Sequence, residues 1–208
     1  MLDTRRDTKA EIGAAALRLF AERGYAAVSV RDIAERVGIR PSAIYNHFPG
    51  KQDILVGLLE SHMERLLAAL ARGVPGTGDP AARLDAFVRL HVGYHIRRPD
   101  EVFIAYMELR SLEPENLARI KTLRRRYEAA LRAILEDGRA TGRFAIDEPF
   151  VATMGLIAQI TGVTNWYREG GRLGEAEVVE LYVTQARRAV GAAMPQTQDR
   201  EDTCSTDR

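Results

Sequence analysis

The sequence is poor in several things, and each lack narrows what the protein does. Its 208 residues contain one cysteine, Cys204, set in a polar stretch near the end. A single thiol builds neither a disulfide framework nor a cysteine-based zinc site, so a reducing compartment is expected. No apolar run approaches the length of a bilayer span, and the opening Met-Leu-Asp-Thr-Arg-Arg lacks the apolar core of a secretion signal. The expectation is a soluble, cytoplasmic protein with no membrane partner. An excess of one charge is also missing: 30 basic residues against 29 acidic ones leave +1, so only their distribution is informative. The first fifty residues lean basic and the last fourteen acidic, which permits nucleic-acid binding without demonstrating it. No strand-like alternation appears anywhere. Nucleophile elbow, phosphate-cradling glycine loop and dinucleotide fingerprint are absent too, so neither an enzyme nor a cofactor is expected.

What the chain does have is helical periodicity, and residues 29–48 carry its most specific instance. Ser29 suits an N-cap, and Asp32 sits favourably near the positive end of the helix that follows. Val30, Ile33, Ala34 and Val37 form one apolar stripe, leaving Arg31, Glu35 and Arg36 in water. Gly38 can take the left-handed conformation that ends a helix, and Pro41 suits the first turn of the next. In that second helix Ile44 and Phe48 face inward. Ser42 and Asn46, flanked by Ala43 and Tyr45, then form a small, polar outer face of the kind that enters a major groove. An ordinary helical hairpin with a solvated face fits the same residue types.

The surroundings favour a three-helix unit. A first amphipathic helix from about Lys9 uses Ile12, Leu17 and Phe20 and stops at Gly24. After Pro49-Gly50, a strong helix from roughly Lys51 to Arg72 is too long for the small unit alone, and Val74 to Pro80 is a clear break. Five further helices are predicted over about 80–97, 99–112, 113–138, 147–167 and 174–190. The fold class is all-α: an N-terminal three-helix helix-turn-helix domain joined by a long helix to a C-terminal bundle, about nine helices in all. The expected domains are 6–66, with the helix-turn-helix at 29–48, then 67–194, then a disordered polar tail at 195–208.

Residues 9–67 resemble the N-terminal domain of the TetR family of transcriptional regulators. The resemblance rests on Leu-Phe-Ala-Glu-Arg-Gly-Tyr, then Val-Arg-Asp-Ile-Ala-Glu-Arg-Val-Gly, then Ile-Tyr-Asn-His-Phe-Pro-Gly-Lys-Gln-Asp-Ile-Leu, at continuous spacing. It implies a homodimer that binds a palindromic operator and responds to a small molecule held in the C-terminal domain. By position it makes Ser42, Ala43 and Asn46 base-edge candidates and Tyr45, His47 and Lys51 phosphate contacts, with Arg31 and Arg40 suited to either. It also implies a dimer built from the last two long helices. There, small Gly155, Ala158 and Gly162 allow close approach, and Val179, Tyr182, Val183, Ala186 and Val190 supply an apolar stripe. The alternative is that both stripes face their own core.

Residues 163–173, Val-Thr-Asn-Trp-Tyr-Arg-Glu-Gly-Gly-Arg-Leu, resemble a segment of TetR-like regulators that respond to acyl-CoA thioesters. Asn165 stands where that branch often has arginine. The candidate ligand pocket joins Phe87, Phe103, Tyr106, Met107, Tyr127, Met154 and Ile157 as apolar walls. His91, His95, Arg110, Gln159, Asn165 and Trp166 are its polar or motif-borne members. His91 and His95 also have the i, i+4 spacing at which two imidazoles share a metal, but no further ligands stand at recognisable spacing, so no metal is expected. The basic run Arg124-Arg125-Arg126 reads as a solvated face that can receive an anionic group.

The reading is therefore a dimeric, ligand-responsive repressor, with the long helix 51–72 transmitting the effector's presence. Two rivals are a lipid-binding or small-molecule-binding protein of the same fold without DNA binding, and a helical metalloenzyme built on His91 and His95.

Overall fold

Local caps decide where the first helices start and stop in the computed structural model, which describes residues 7–193. The polar tail expected at 195–208 lies outside the described residues. Asp7 accepts from the Ala10 amide and opens α1, Thr8–Arg23. Ser29 and Asp32 form a reciprocal capping box at the start of α2, Val30–Val37. Gly38 then takes φ +78° and returns its amide to Ala34 and Glu35, a left-handed cap that a Cβ would strain. Pro41 opens α3, which keeps regular geometry only over Pro41–Ile44.

The predicted second helix of the pair is thus shortened. Its backbone continues as hydrogen-bonded turns, with His47 N and Phe48 N both donating to the Ile44 carbonyl. The reason is local: Ser, Asn and His are modest helix formers, and Phe48 precedes Pro49, whose ring disfavours helical geometry there.

The long rod is α4, Lys51–Gly73. Beyond it come α5, Pro80–Ile96; α6, Pro99–Met107; α7, Pro114–Ala140; α8, Pro149–Thr161; the single turn α9, Val163–Trp166; and α10, Glu175–Ala189. Every described element is helical. The expected 99–112 helix tightens into a 3-10 turn at Glu108–Ser111. The expected 147–167 helix breaks at Gly162, where a Cβ would lie 3.1 Å from the Gln159 carbonyl.

Two apolar cores share α4. The N-terminal one gathers Ile12, Phe20, Ile33, Ile44, Ile54 and Leu59, all fully buried. At about 1.5–3 kcal/mol per buried side chain, these residues hold three short helices that would not persist alone. That core does not stop at the small unit, because Ile104 and Ala105 of α6 and Ile120 of α7 belong to it. From Met63 onward α4 enters the second core, with Leu84, Phe87, Leu131, Ile160 and Val183. The rod and α6 therefore each touch both bodies.

Ion pairs tie α10 to the buried α5. Arg187 of α10 grips Asp85 of α5 with two bonds of 2.7 and 2.6 Å. Arg89 holds Glu180 and Arg97 holds Glu175 along the same seam. Along this seam Tyr182, Val183, Ala186 and Val190 are buried in the chain's own core, at 8%, 5%, 1% and 0% exposure. This corrects their assignment to a dimer interface, since almost none of their surface is left for a second copy; Val179 also packs partly against that core. Gly155 and Ala158 do face outward, Gly162 is half-buried, and Phe150, Val151 and Leu181 stand exposed.

Candidate functional site

The helix-turn-helix presents its polar side as the pattern requires. Ser42, Tyr45, Asn46 and His47 are exposed, Ala43 is half-buried and Ile44 is sealed in the core. Arg31 and Arg40 are exposed, and no ion pair joins either to another described residue. Two uncommitted guanidinium groups beside short polar side chains can neutralise phosphates and donate to base edges. Lys9 covers the Phe48 ring at 5.5 Å, supporting the end of this unit.

Lys51 has a different place from the one expected. Its Nζ donates to the carbonyls of Tyr25 at 2.9 Å and Val28 at 2.7 Å, and it sits 4.1 Å from the centre of the Tyr25 ring. Burial draws its pKa below the ordinary lysine value, with Asp32 and Glu108 pulling the other way. Lys51 is thus a brace that clamps the α1–α2 corner to the start of α4. Lys51→Met is expected to cost about 2 kcal/mol, since each bond from a charged donor contributes 1.5–3 kcal/mol at most and one carbonyl has a second donor. Thermal unfolding checks this, and an unchanged midpoint contradicts the brace.

The same corner is latched to the C-terminal domain. Glu108, 6% exposed, accepts from the Tyr25 amide at 3.0 Å and from the Ser111 hydroxyl at 2.7 Å. Gln52 donates to both the Tyr25 hydroxyl and the Ser111 carbonyl, and it accepts from the Glu113 amide. Sequence alone did not single out either residue, because neither pattern nor spacing marks a contact 83 positions apart.

One turn before Glu108, α6 walls a small chamber. It measures about 20 Å³ and is lined by His62, Met63 and Leu66 of α4, His91 and His95 of α5, Ala105 and Tyr106 of α6, Arg124, Tyr127 and Glu128 of α7, and Ile157 of α8. That volume holds roughly one water. Of the predicted pocket residues, the fold brings together His91, His95, Tyr106, Tyr127 and Ile157. Phe87 packs next to the chamber, its ring tilted against that of Tyr127 at 5.1 Å.

The remaining predicted pocket residues lie elsewhere. Phe103, Met107, Arg110 and Asn165 are exposed, Met154 is half-buried off the chamber, Gln159 bonds Gln185, and Trp166 is 51% exposed with its indole donating to Tyr182. Helical periodicity had placed these residues on the bundle without telling the inner wall from the outer. His62 was missed, although a histidine inside the apolar stripe of α4 is itself a signal.

The chamber is chemically unusual. His91 and His95 stack with ring centres 3.7 Å apart, and His62 lies 6.4 Å from His95. His91 is partnered on both nitrogens, by Tyr127 Oη at 2.9 Å and Thr161 Oγ1 at 3.1 Å. Burial holds His91 neutral by pushing its pKa well below the ordinary value, and it raises that of the Tyr127 hydroxyl well above its own. Burial also lowers His95 to about 3, against a bond to the His91 carbonyl that acts upward. For Glu101, burial pushes the pKa up, but bonds from His62 and Arg65 outweigh it and leave the carboxyl below its ordinary value. Among the described residues, no group of three or more His, Cys, Asp or Glu side chains is arranged to hold a metal ion. No described helix is long and apolar enough to cross a membrane.

Comparison with known proteins fits both halves of this arrangement. Residues 12–58 match the model of bacterial regulatory proteins of the tetR family, and residues 77–190 match a tetracyclin repressor-like C-terminal domain. The chain is 28% identical over 184 residues to the HTH-type transcriptional repressor KstR2 of Mycobacterium tuberculosis, covering 88% of this chain and 90% of that protein. A regulatory protein of the tetR family from Rhodococcus RHA1 superposes with a TM-score of 0.85 at 28% identity, over 90% of this chain and 99% of the other. The structure of AibR in complex with isovaleryl coenzyme A and operator DNA has the same fold, with a TM-score of 0.79 at 22% identity over 85% and 96% of the two chains.

Proposed function

Because this chain belongs to the TetR family and is a transcriptional regulator rather than an enzyme, we propose that it is a homodimeric repressor released from a palindromic operator by an apolar effector. Residues 6–66 are the DNA-binding unit and 67–194 the effector and dimer unit. The observation that carries the reading is the exposed polar face of α3, together with exposed Arg31 and Arg40, which no ion pair joins to another described residue. Ser42, Ala43 and Asn46 read base edges, while Tyr45, His47 and the two arginines contact phosphates or bases. Two copies must place their α3 elements about 34 Å apart to occupy successive major grooves.

The effector binds at the chamber inside the bundle. A space of about 20 Å³ admits nothing larger than a water without moving its walls, and three of those walls, α4, α6 and α7, also contribute to the N-terminal core. Ligand affinity therefore works directly on the spacing of the two DNA-binding units, by as much as it differs between the two states. An acyl thioester suits the mostly apolar walls, and a neighbour of this fold holds isovaleryl coenzyme A.

The dimer forms on the outward face of α8 and α10, where Val151, Gly155, Ala158 and Leu181 are exposed. Leu181→Glu, which would put a charge into that face, is expected to shift the protein from dimer to monomer in sedimentation. An unchanged dimer would move the interface elsewhere.

Operator binding tests the central assignment. Arg40→Gln is expected to weaken binding to all sites and lower the salt slope by about 1. Asn46→Ala should instead relax preference at one base position, losing about 1–3 kcal/mol of discrimination. If titrations of wild type and variants coincide, α3 is not the reader.

A further inference from the structure

The hydrogens of the histidine cluster can be placed from its partners. His95 Nδ1 lies 2.7 Å from the His91 carbonyl, one turn back along α5. A carbonyl only accepts, so Nδ1 carries the hydrogen, and a neutral imidazole has just one. His95 Nε2 is thus a bare lone pair. No described residue bonds it, yet no fully enclosed side-chain nitrogen or oxygen among the described residues lacks a partner, so this atom opens onto the chamber that His95 lines. His95 itself is 1% exposed.

His62 of α4 adds a second imidazole, its ring centre 6.4 Å from that of His95. The His62 Nδ1 is 3.1 Å from a Glu101 oxygen that Arg65 also engages at 2.7 Å. His62 is 2% exposed and lines the same space. His91 offers nothing more, since both of its nitrogens are taken. Met63, Leu66, Ala105 and Ile157 close the remaining sides with apolar groups. Arg124, at the rim, turns one N–H to the Ala105 carbonyl and lays its plane over Tyr106 at 4.6 Å. Its positive charge disfavours a cation passing inward.

We propose that the buried end of the effector's apolar chain, remote from any acyl thioester group, carries a hydroxyl that donates its hydrogen to His95 Nε2. The proposal rests on the chamber being the effector site and names the chemistry selected there. A ketone or ester of the same shape brings an oxygen lone pair against a nitrogen lone pair, leaving both without a hydrogen. The alcohol is therefore favoured over the matching ketone by at least about ten-fold.

The test uses the full-length protein with isotope-labelled histidine. Long-range proton–nitrogen NMR first reads the His95 tautomer, and then secondary alkanols from butan-2-ol to decan-2-ol are titrated beside the matching ketones and the matching amines. The expected results are hydrogen on Nδ1 in the free protein, a shift of the Nε2 resonance with alcohols only, and the ten-fold preference. His95→Leu should remove that preference, and the wild-type spectra stand by themselves if this variant does not fold. Hydrogen on Nε2, ketones or amines binding as well as alcohols, or no binding across the series overturns the proposal. Binding of the wild-type protein to its selected operator is measured separately. Its failure would strike the regulator reading and leave the tautomer result intact.

Discussion

Gly138→Ala is expected to destabilise the protein by about 3 kcal/mol, the upper end of the usual cost of overpacking. Gly138 lies in the closing turns of α7, where a Cβ would stand 2.0 and 2.3 Å from two ring carbons of Phe144. The ring cannot simply step aside. Its residue is 4% exposed within the C-terminal core, and the Phe144 amide donates to the Gly138 carbonyl at 3.0 Å, fixing the backbone on both sides of the contact. Either the ring leaves the core or the end of α7 opens. Thermal unfolding should show a midpoint roughly 10 °C lower, and Phe144→Leu in the same chain should recover part of the loss. A midpoint within a degree of wild type would mean that the contact is not held as described.

The second large effect is expected at the latch between the domains. Glu108→Ala removes the acceptor of the Tyr25 amide and of the Ser111 hydroxyl, leaving a backbone donor half-buried without its partner. A bond to a charged acceptor contributes about 1.5–3 kcal/mol, so a loss of about 2 kcal/mol is expected. The functional consequence is more telling than the stability. Since Ala105 and Tyr106 touch the chamber and Glu108 touches the α1–α2 corner, the variant should bind operator while its release by effector is blunted. Ser111→Ala removes only the neutral donor and should change release little. Equal release by wild type and Glu108→Ala, compared at temperatures where both are folded, would place the coupling along α4 instead.

How much of this was legible in the sequence depended on whether the deciding physics was local. The Ser29 cap, the left-handed Gly38 and the apolar stripe of α2 are set by nearby residues, and the structure has them as read, with Asp32 closing a reciprocal capping box on Ser29. The shortening of α3 is local too, and Phe48 before Pro49 was its signal. Tertiary facts were harder. The family resemblance makes Lys51 a phosphate contact by position. Its ammonium is instead drawn inward by two carbonyls that sequence spacing cannot bring into view.

The stripes of α8 and α10 teach the same lesson. Periodicity gives a helix an apolar face without saying what covers it. On α10 the strongest face serves the chain's own core, and the surface left for a second copy is the weaker one that includes Leu181. The chamber shows the limit most clearly. Five of its residues were named from the sequence, but its character comes from His62, which meets His95 only because α4 and α5 pack together.

Selection of bound sequences from a random DNA pool by the full-length protein tests the central claim most directly. The account predicts enrichment of a palindrome whose half-sites are about one helical turn apart, bound by a dimer, with enrichment lost when Arg40 and Asn46 are both replaced. Absence of any enriched sequence, or an enriched sequence bound equally well by the double variant, would contradict it.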